Sequence, residues 1–193
     1  MANSQHPGFA PAKTTGSSFQ RVRKPGPDNG TLIRLNDAVV LNSSGLWVVA
    51  TTTNSAVAGS SLGASYKNAD GQRIDADALP ATNTTGTTFL AEDRNWIYVA
   101  QDALRIKYIA SIDEAVVQGG MNINYVMVLA TTTTRVSDHE LDATSPATTA
   151  TFPWRVEEPF RRADLDPDAA DAWFLCSINA GMVEPASSNY TGT

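Results

Sequence analysis

Apolar and polar positions along this chain alternate in short runs and lack the three-to-four-residue spacing of a helix. The segment "LIRLNDAVVL" (residues 32–41) alternates at first, and "LWVVATTT" (46–53) is a short apolar run that ends in threonines. Runs of this kind, bounded by Gly, Asn and Ser, are typical of β-strands. They predict an all-β fold, a single β-barrel or β-sandwich of about nine strands.

The clearest strand pattern lies in "AEDRNWIYVAQDAL" (91–104). In "WIYVAQ" (96–101) both alternating sets of side chains are largely apolar, which favours a central position in a sheet. The neighbouring carboxylates of Glu92 and Asp93 point to opposite faces if the segment is extended. We therefore interpret them as part of a charged turn before the strand and not as a pair of catalytic acids.

Two other segments carry local signals. Asp70-Gly71, within "YKNADGQRI", predicts a tight turn between strands, because Gly takes positive φ without steric cost. "DPDAADAW" (166–173) is the one segment for which we predict a helical turn.

The first 30 residues differ in composition from the remainder. They contain four prolines, several Gly and Ser and few aliphatic side chains, which leaves too little apolar area for the segment to fold alone. We therefore divide the chain into an extended N-terminal arm, residues 1–30, and a β-rich domain, residues 31–193. We expect the domain to stay folded when residues 1–27 are removed.

Charge is also unevenly distributed. The first 27 residues carry +4, from Lys13, Arg21, Arg23 and Lys24, and the remainder carries −10, for a net charge of −6. Four cations without interleaved aromatic side chains are too few for a nucleic-acid site. We expect the arm to bind a neighbouring protein subunit, with Phe19, Arg21, Arg23 and Lys24 as the contact residues, and we expect no nucleic-acid partner.

One motif suggests an enzyme. "GSSLG" (59–63) matches G-x-S-x-G, which presents a hydrolase serine when a strand precedes it and a helix follows. A turn-like segment follows here, and Asp138 next to His139 makes a poor triad, because adjacent side chains in a strand point to opposite faces. A loop of small residues is favoured over a serine hydrolase that uses Ser61 and His139.

Metal sites have weak support. The chain has two histidines and one cysteine, too few for a zinc cluster of His and Cys. Asp164, Asp166 and Asp168 alternate as in a calcium-binding EF-hand, but Ala169 and Leu175 stand where the loop needs Gly and Glu. Two interpretations remain for this segment, an irregular calcium site and a solvated loop. We predict no metal or cofactor.

The remaining signals concern burial of the cysteine and the cellular compartment. Cys176 lies within the apolar run "AWFLCSIN", and a cysteine in such a run is typical of core packing. No apolar run approaches the roughly 20 residues that span a bilayer, and the N-terminus has no signal-peptide pattern. We therefore expect synthesis in a cytosol and no membrane partner.

The order of three motifs resembles a family of virion structural proteins of tailed bacteriophages, the head decoration or cement proteins. These motifs are an acidic turn with an aromatic strand (92–101), a Gly-x-Asn step before a strand and a threonine run (120–134), and the segment from Leu-Asp to Ile-Asn (141–179). The likeness covers roughly residues 45 to 180 and omits the N-terminal arm. The sequence departs from the pattern in "LRIKYIASIDEA" (104–115).

The resemblance implies a non-enzymatic protein of the capsid surface, made in the host cytoplasm. Its partners would be the major capsid protein and further copies of itself, in a symmetric oligomer such as a trimer. A tail, neck or fibre-base protein is the alternative within virion proteins. A carbohydrate-binding module is the alternative from another class, although we expect most of Trp47, Trp96, Trp154 and Trp173 to pack in the core.

Overall fold

The computed structural model describes residues 7–12, 20–27, 31–50, 56–82, 94–101, 106–115, 120–129, 136–148, 152–161 and 169–179. These residues form an all-β structure without helices. The predicted class is therefore confirmed. The count of about nine strands is not, since the described ranges contain thirteen shorter strands. The predicted helical turn lies partly outside the described residues, and 169–171 form only a bend and turn.

The strands are named in chain order. They are β1 (Ala10–Ala12), β2 (Gln20–Pro25), β3 (Ala38–Leu41), β4 (Trp47–Val49), β5 (Gly59–Lys67), β6 (Arg73–Ala76), β7 (Trp96–Gln101), β8 (Lys107–Ser111), β9 (Asn124–Tyr125), β10 (Met127–Val128), β11 (Glu140–Leu141), β12 (Trp154–Pro159) and β13 (Trp173–Ile178).

These strands form two main sheets and one small one. The five-stranded sheet has the order β1-β8-β13-β12-β9, and the six-stranded sheet has the order β2-β7-β5-β3-β4 with β6 also paired to β5. All the strand pairs within them are antiparallel. Strand β7 lies between β2 and β5, which confirms the central position predicted from its two apolar faces. Strands β10 and β11 pair separately.

A tight turn between β5 and β6 places the two strands side by side. Asn68 N donates to Gln72 O at 2.9 Å, and Gly71 has φ of 77°, so the predicted Asp70-Gly71 turn is confirmed. A bulge between Ser61 and Ala64 interrupts the pairing of β5 with β7. Gly63 lies in this bulge with φ of 115°, and a Cβ there would lie 2.6 Å from the Ala76 carbonyl oxygen, so only glycine fits.

One apolar core receives side chains from both main sheets. Ala38 and Ala100 of the six-stranded sheet and Tyr108 and Trp154 of the five-stranded sheet are all buried within it. A second core covers the opposite face of the six-stranded sheet, through Ile33, Val39, Trp47, Ala64, Leu79, Ile97 and Val99. The six-stranded sheet is thus buried on both faces around its centre.

The described parts of the predicted arm belong to these sheets. β1 pairs with β8, β2 pairs with β7, and the side chain of Phe9 is fully buried, with its ring stacked 4.0 Å from that of Trp154. Deleting residues 1–27 would therefore remove two strands and a core side chain. The expectation that the domain stays folded after this deletion stays a prediction, and the burial of Phe9 in the core counts against it. The boundary at residue 30 stays a prediction.

Candidate functional site

Two exposed arginines of β2 lie beside two aromatic residues of β7. Arg23 is directly opposite Tyr98 in the β2–β7 register. Ser65 of β5 is opposite both Trp96 of β7 and Asp75 of β6. Since cross-strand partners point to the same side of a sheet, these side chains share one face. We call Arg21, Arg23, Asp75, Trp96 and Tyr98 the basic–aromatic face.

The arginines of this face stack on the aromatic rings. The guanidinium carbon of Arg21 lies 3.8 Å from the centre of the Tyr98 ring, and that of Arg23 lies 4.1 Å from the Trp96 ring. Each such contact contributes about 0.5–1 kcal/mol at an exposed site. Stacking fixes the plane of the guanidinium but leaves its N–H edge open to a carboxylate or phosphate. Both arginines are exposed, so the arrangement is preorganised to bind an anionic group.

The basic–aromatic face already holds one carboxylate. Tyr98 donates its hydroxyl hydrogen to Asp75 Oδ1 at 3.0 Å. Hydrogen bonds from Ser65 and Tyr98 and the charges of Arg21 and Arg23 lower the pKa of Asp75. Charged carboxylates are therefore stabilised on this part of the sheet.

A third arginine extends the positive charge along β6. Arg73 shares a face with Asp75, since the two are separated by one residue in an extended strand. Its Nη1 donates to Ser65 Oγ at 3.3 Å, and its Nη2 donates to the Arg94 carbonyl oxygen at 3.2 Å. These bonds hold Arg73 against β5 and the residues before β7, so its charge adds to that of Arg21 and Arg23.

The structure brings together two of the four predicted contact residues. Arg21 and Arg23 lie on the basic–aromatic face, whereas Lys24 lies on the opposite face of β2, with its ammonium 5.3 Å from the Trp47 ring centre. Phe19 lies outside the described residues. Lys24 is half-buried over a core tryptophan, so its position indicates a packing role.

Sequence reasoning missed the aromatic partners of the arginines. The signal was present, because Arg21 and Arg23 have the same two-residue spacing as Trp96 and Tyr98. In an antiparallel pair with matching register, two such sets lie side by side. The sequence alone does not show that β2 and β7 pair, or in which register, because the two segments are distant along the chain.

A second cluster of ionisable side chains is buried beneath the N-terminal segment. Asp37 and His139 are at most 2% exposed, and Asp37 Oδ1 lies 3.6 Å from His139 Nδ1, just beyond hydrogen-bonding distance. Asp37 Oδ2 accepts a 2.7 Å hydrogen bond from the backbone N–H of Arg34. Phe9 N donates to Asn36 O at 2.9 Å, which places the N-terminal segment against this cluster.

Burial has opposite effects on the two members of this pair. It raises the pKa of the Asp37 carboxyl, although the nearby His139 opposes the change. It lowers the pKa of His139, although Asp37 opposes this change as well. Both groups are therefore biased toward their neutral forms, and the remaining attraction between them depends on pH.

The pair does not make a hydrolase site with Ser61. The motif "GSSLG" occupies the first half of strand β5, and Ser61 is fully buried and paired with Val99 of β7. A nucleophile elbow needs a sharp strand-to-helix turn that exposes the serine, and this segment continues as a strand. The predicted loop of small residues is also wrong, because residues 59–63 form part of β5.

We expect the free energy of unfolding to fall as the pH is lowered from about 7.5 to about 5.5. The unfolded state takes up a proton at His139 near pH 6.5, whereas the lowered pKa delays uptake in the folded state, so acid favours unfolding. The raised pKa of Asp37 has the opposite sign and offsets part of the loss toward acid pH. Urea unfolding across this range measures the slope.

His139→Gln should flatten that slope. The other histidine of the chain, His6, gives the matched control, and a slope retained in His6→Gln but lost in His139→Gln assigns the effect to the buried pair. A free energy of unfolding that rises on acidification would instead show that proton uptake by Asp37 in the folded state dominates.

Cys176 behaves as the sequence predicts. Its side chain is fully buried, and the thiol contacts the Tyr108 carbonyl oxygen with an S···O distance of 3.4 Å. Burial raises the pKa of the thiol far above its usual range, so the side chain stays neutral and packs as a small apolar group.

Comparison with models of protein families, with curated proteins and with solved structures gave no match. In the described ranges, no group of three or more His, Cys, Asp or Glu is arranged to hold a metal ion. The same residues include no helix that is long and apolar enough to cross a membrane. The predicted alternating aspartates, Asp164, Asp166 and Asp168, lie outside the described residues.

Proposed function

We propose that this chain is a virion structural protein of a tailed bacteriophage that binds the outer capsid surface and cements adjacent major capsid subunits. The observation that carries the proposal is the basic–aromatic face, where Arg21 and Arg23 are stacked and exposed on a chain of net charge −6. A positive patch on an acidic protein favours docking to an acidic surface in one orientation. The resemblance of the sequence to head decoration proteins is the second support.

The architecture is compatible with this role. The shared core between the two main sheets favours a β-sandwich over a barrel. Capsid attachment requires surface area and geometry, and many weak contacts repeated by symmetry give strong binding. We expect copies of the chain to associate in a symmetric oligomer, such as a trimer, and to contact the major capsid protein through the basic–aromatic face.

Carbohydrate binding has less support. A sugar-binding site needs an exposed aromatic ring on which the sugar stacks. Trp47 and Trp154 are buried in the cores, and the ring of Trp96 is covered by Arg23. Trp173 is half-buried, and its ring centre lies 6.3 Å from that of Phe160. The tryptophan rings are thus already packed against other side chains.

Immunogold labelling of purified particles of the phage that encodes this chain tests the proposal. We expect the label on the head, at regular positions in averaged electron micrographs. Label confined to the neck, tail or fibre base would support the alternative virion role. Absence of the protein from particles purified to constant protein composition would overturn both.

A further inference from the structure

Strand β2 lies at one end of the six-stranded sheet. In the described part of the chain it pairs only with β7. Gly26 N donates to Asn95 O at 2.8 Å, directly after the last residue pair of the two strands, Pro25 with Trp96. Backbone groups in an antiparallel strand alternate between its two edges. Counting back from Gly26, the N–H groups of Arg21 and Arg23 point away from β7.

Pro25 supports this orientation. It is the next residue of the same alternating set, and it has no N–H to donate. Proline is tolerated where a strand's N–H side does not face a partner, so its position marks the outer edge of β2. The outer edge therefore presents donor and acceptor groups at Arg21 and Arg23, and an acceptor at Pro25.

The same two residues also present their side chains to the basic–aromatic face. Arg21 and Arg23 are separated by one residue, so their Cα positions lie about 7 Å apart along the strand and their side chains leave on the same face. A peptide that adds to the outer edge would place every second side chain on that face, opposite or diagonal to these arginines. Carboxylates at alternate positions of the peptide would contact the side chains of both arginines.

We propose that the outer edge of β2 binds an extended acidic segment of a protein partner, which adds as a strand and pairs carboxylates at alternating positions with Arg21 and Arg23. The inference rests on the proposed function, for which it names the chemistry of the capsid partner. A guanidinium stacked on a ring loses little freedom when it binds a carboxylate through two parallel hydrogen bonds. The pKa of Asp75 on the same face is lowered mainly by hydrogen bonds from Ser65 and Tyr98, and the charges of Arg21 and Arg23 add to this effect, as they would for a carboxylate of the partner.

A protein partner fits better than nucleic acid. Both an acidic peptide and a phosphate backbone would contact the arginines, but only a peptide has N–H and C=O groups that continue the sheet at the backbone of Arg21 and Arg23. A partner that binds at this edge must therefore be both negatively charged and an extended polypeptide.

Fluorescence anisotropy with the full chain and labelled probes tests whether the partner needs carboxylates at alternating positions. The probes are an eleven-residue peptide alternating Thr and Glu, a peptide of the same composition with its glutamates in one block, a Thr-Lys peptide, and a thymidine oligonucleotide of equal length. We expect the alternating Glu peptide to bind about tenfold more tightly than each other probe. Oligonucleotide binding of equal or greater strength would overturn the proposal in favour of nucleic acid.

A charge-matched pair of variants tests the residues. Arg21→Gln with Arg23→Gln should weaken binding of the alternating Glu peptide by about tenfold or more. Arg155→Gln with Arg161→Gln removes the same charge from exposed positions at β12 and just beyond it, and should change binding less than about twofold. Equal losses in both pairs would show a general charge effect and overturn the site.

Amide hydrogen exchange tests strand addition itself. We expect the peptide to slow exchange at the N–H groups of Arg21 and Arg23, whereas those of Val22 and Lys24 already face β7. Unchanged exchange at Arg21 and Arg23 with peptide bound, or self-association of the chain at the same edge, would overturn the inference. Peptide binding by a protein absent from virions would overturn the proposed function alone.

Discussion

Replacement of Phe9 by alanine is expected to lower the free energy of unfolding by about 3–5 kcal/mol. The ring is fully buried in the core between the main sheets, stacked at 4.0 Å on Trp154, which also meets Tyr108 edge-on at 5.3 Å. Its loss removes buried apolar area and leaves a cavity among aromatic side chains that cannot close without breaking their geometry. Urea unfolding followed by tryptophan fluorescence measures the change.

Phe160→Ala is the matched control. Phe160 is half-buried, and its ring centre is 6.3 Å from that of Trp173, so less apolar area is lost on truncation. We expect a loss clearly smaller than that of Phe9→Ala. If both variants lose the same stability, the N-terminal segment does not contribute to the core as the structure shows.

Replacement of Asp37 by alanine is expected to cost about 3 kcal/mol at neutral pH. The change leaves the buried N–H of Arg34 without its 2.7 Å acceptor and removes the carboxylate beside His139. Asp37→Asn keeps an oxygen acceptor and removes only the ionisable group, so its loss should be well below that of the alanine variant. Chemical denaturation of the two variants measures the difference.

Asp70→Ala supplies the control for a surface aspartate. Asp70 is exposed in the β5–β6 turn, and its replacement should change the free energy of unfolding by no more than about 0.5 kcal/mol. Equal losses in Asp37→Ala and Asp37→Asn would contradict the proposed role of the acceptor and show that the ionisable carboxyl group itself is needed.

Local signals predicted the local features. Two apolar faces in "WIYVAQ" predicted the central strand β7, Asp70-Gly71 predicted the turn between β5 and β6, and the apolar surroundings of Cys176 predicted its burial. Each of these depends on a few consecutive residues, whose alternation or φ preference is a property of the segment itself.

Distant pairings were not predicted, because periodicity carries no information about which strands meet. The prolines of the first 30 residues indicated an arm, yet Pro11 and Pro25 lie in β1 and β2, both at the ends of their sheets, where a missing N–H is tolerated. The sequence suggests Asp138 and Ser61 as candidate partners of His139, whereas its buried ionisable neighbour is Asp37, about a hundred residues away in the chain. For the candidate site, charge alone identified Arg21 and Arg23, and the pairing with β7 supplied Trp96 and Tyr98.

The connection of β1 and β2 to different sheets has a consequence for biosynthesis. These strands are synthesised before their partners β8 and β7, which lie within residues 96–111. Until those partners have been made, Phe9 and the edges of both strands stay unburied, and the closing contacts must bridge most of the chain already synthesised. Such long-range closure slows folding and exposes apolar segments to aggregation. We therefore expect β1 and β2 to be fixed only after β7 and β8 have been synthesised, and to be among the last of the described strands to join their sheets.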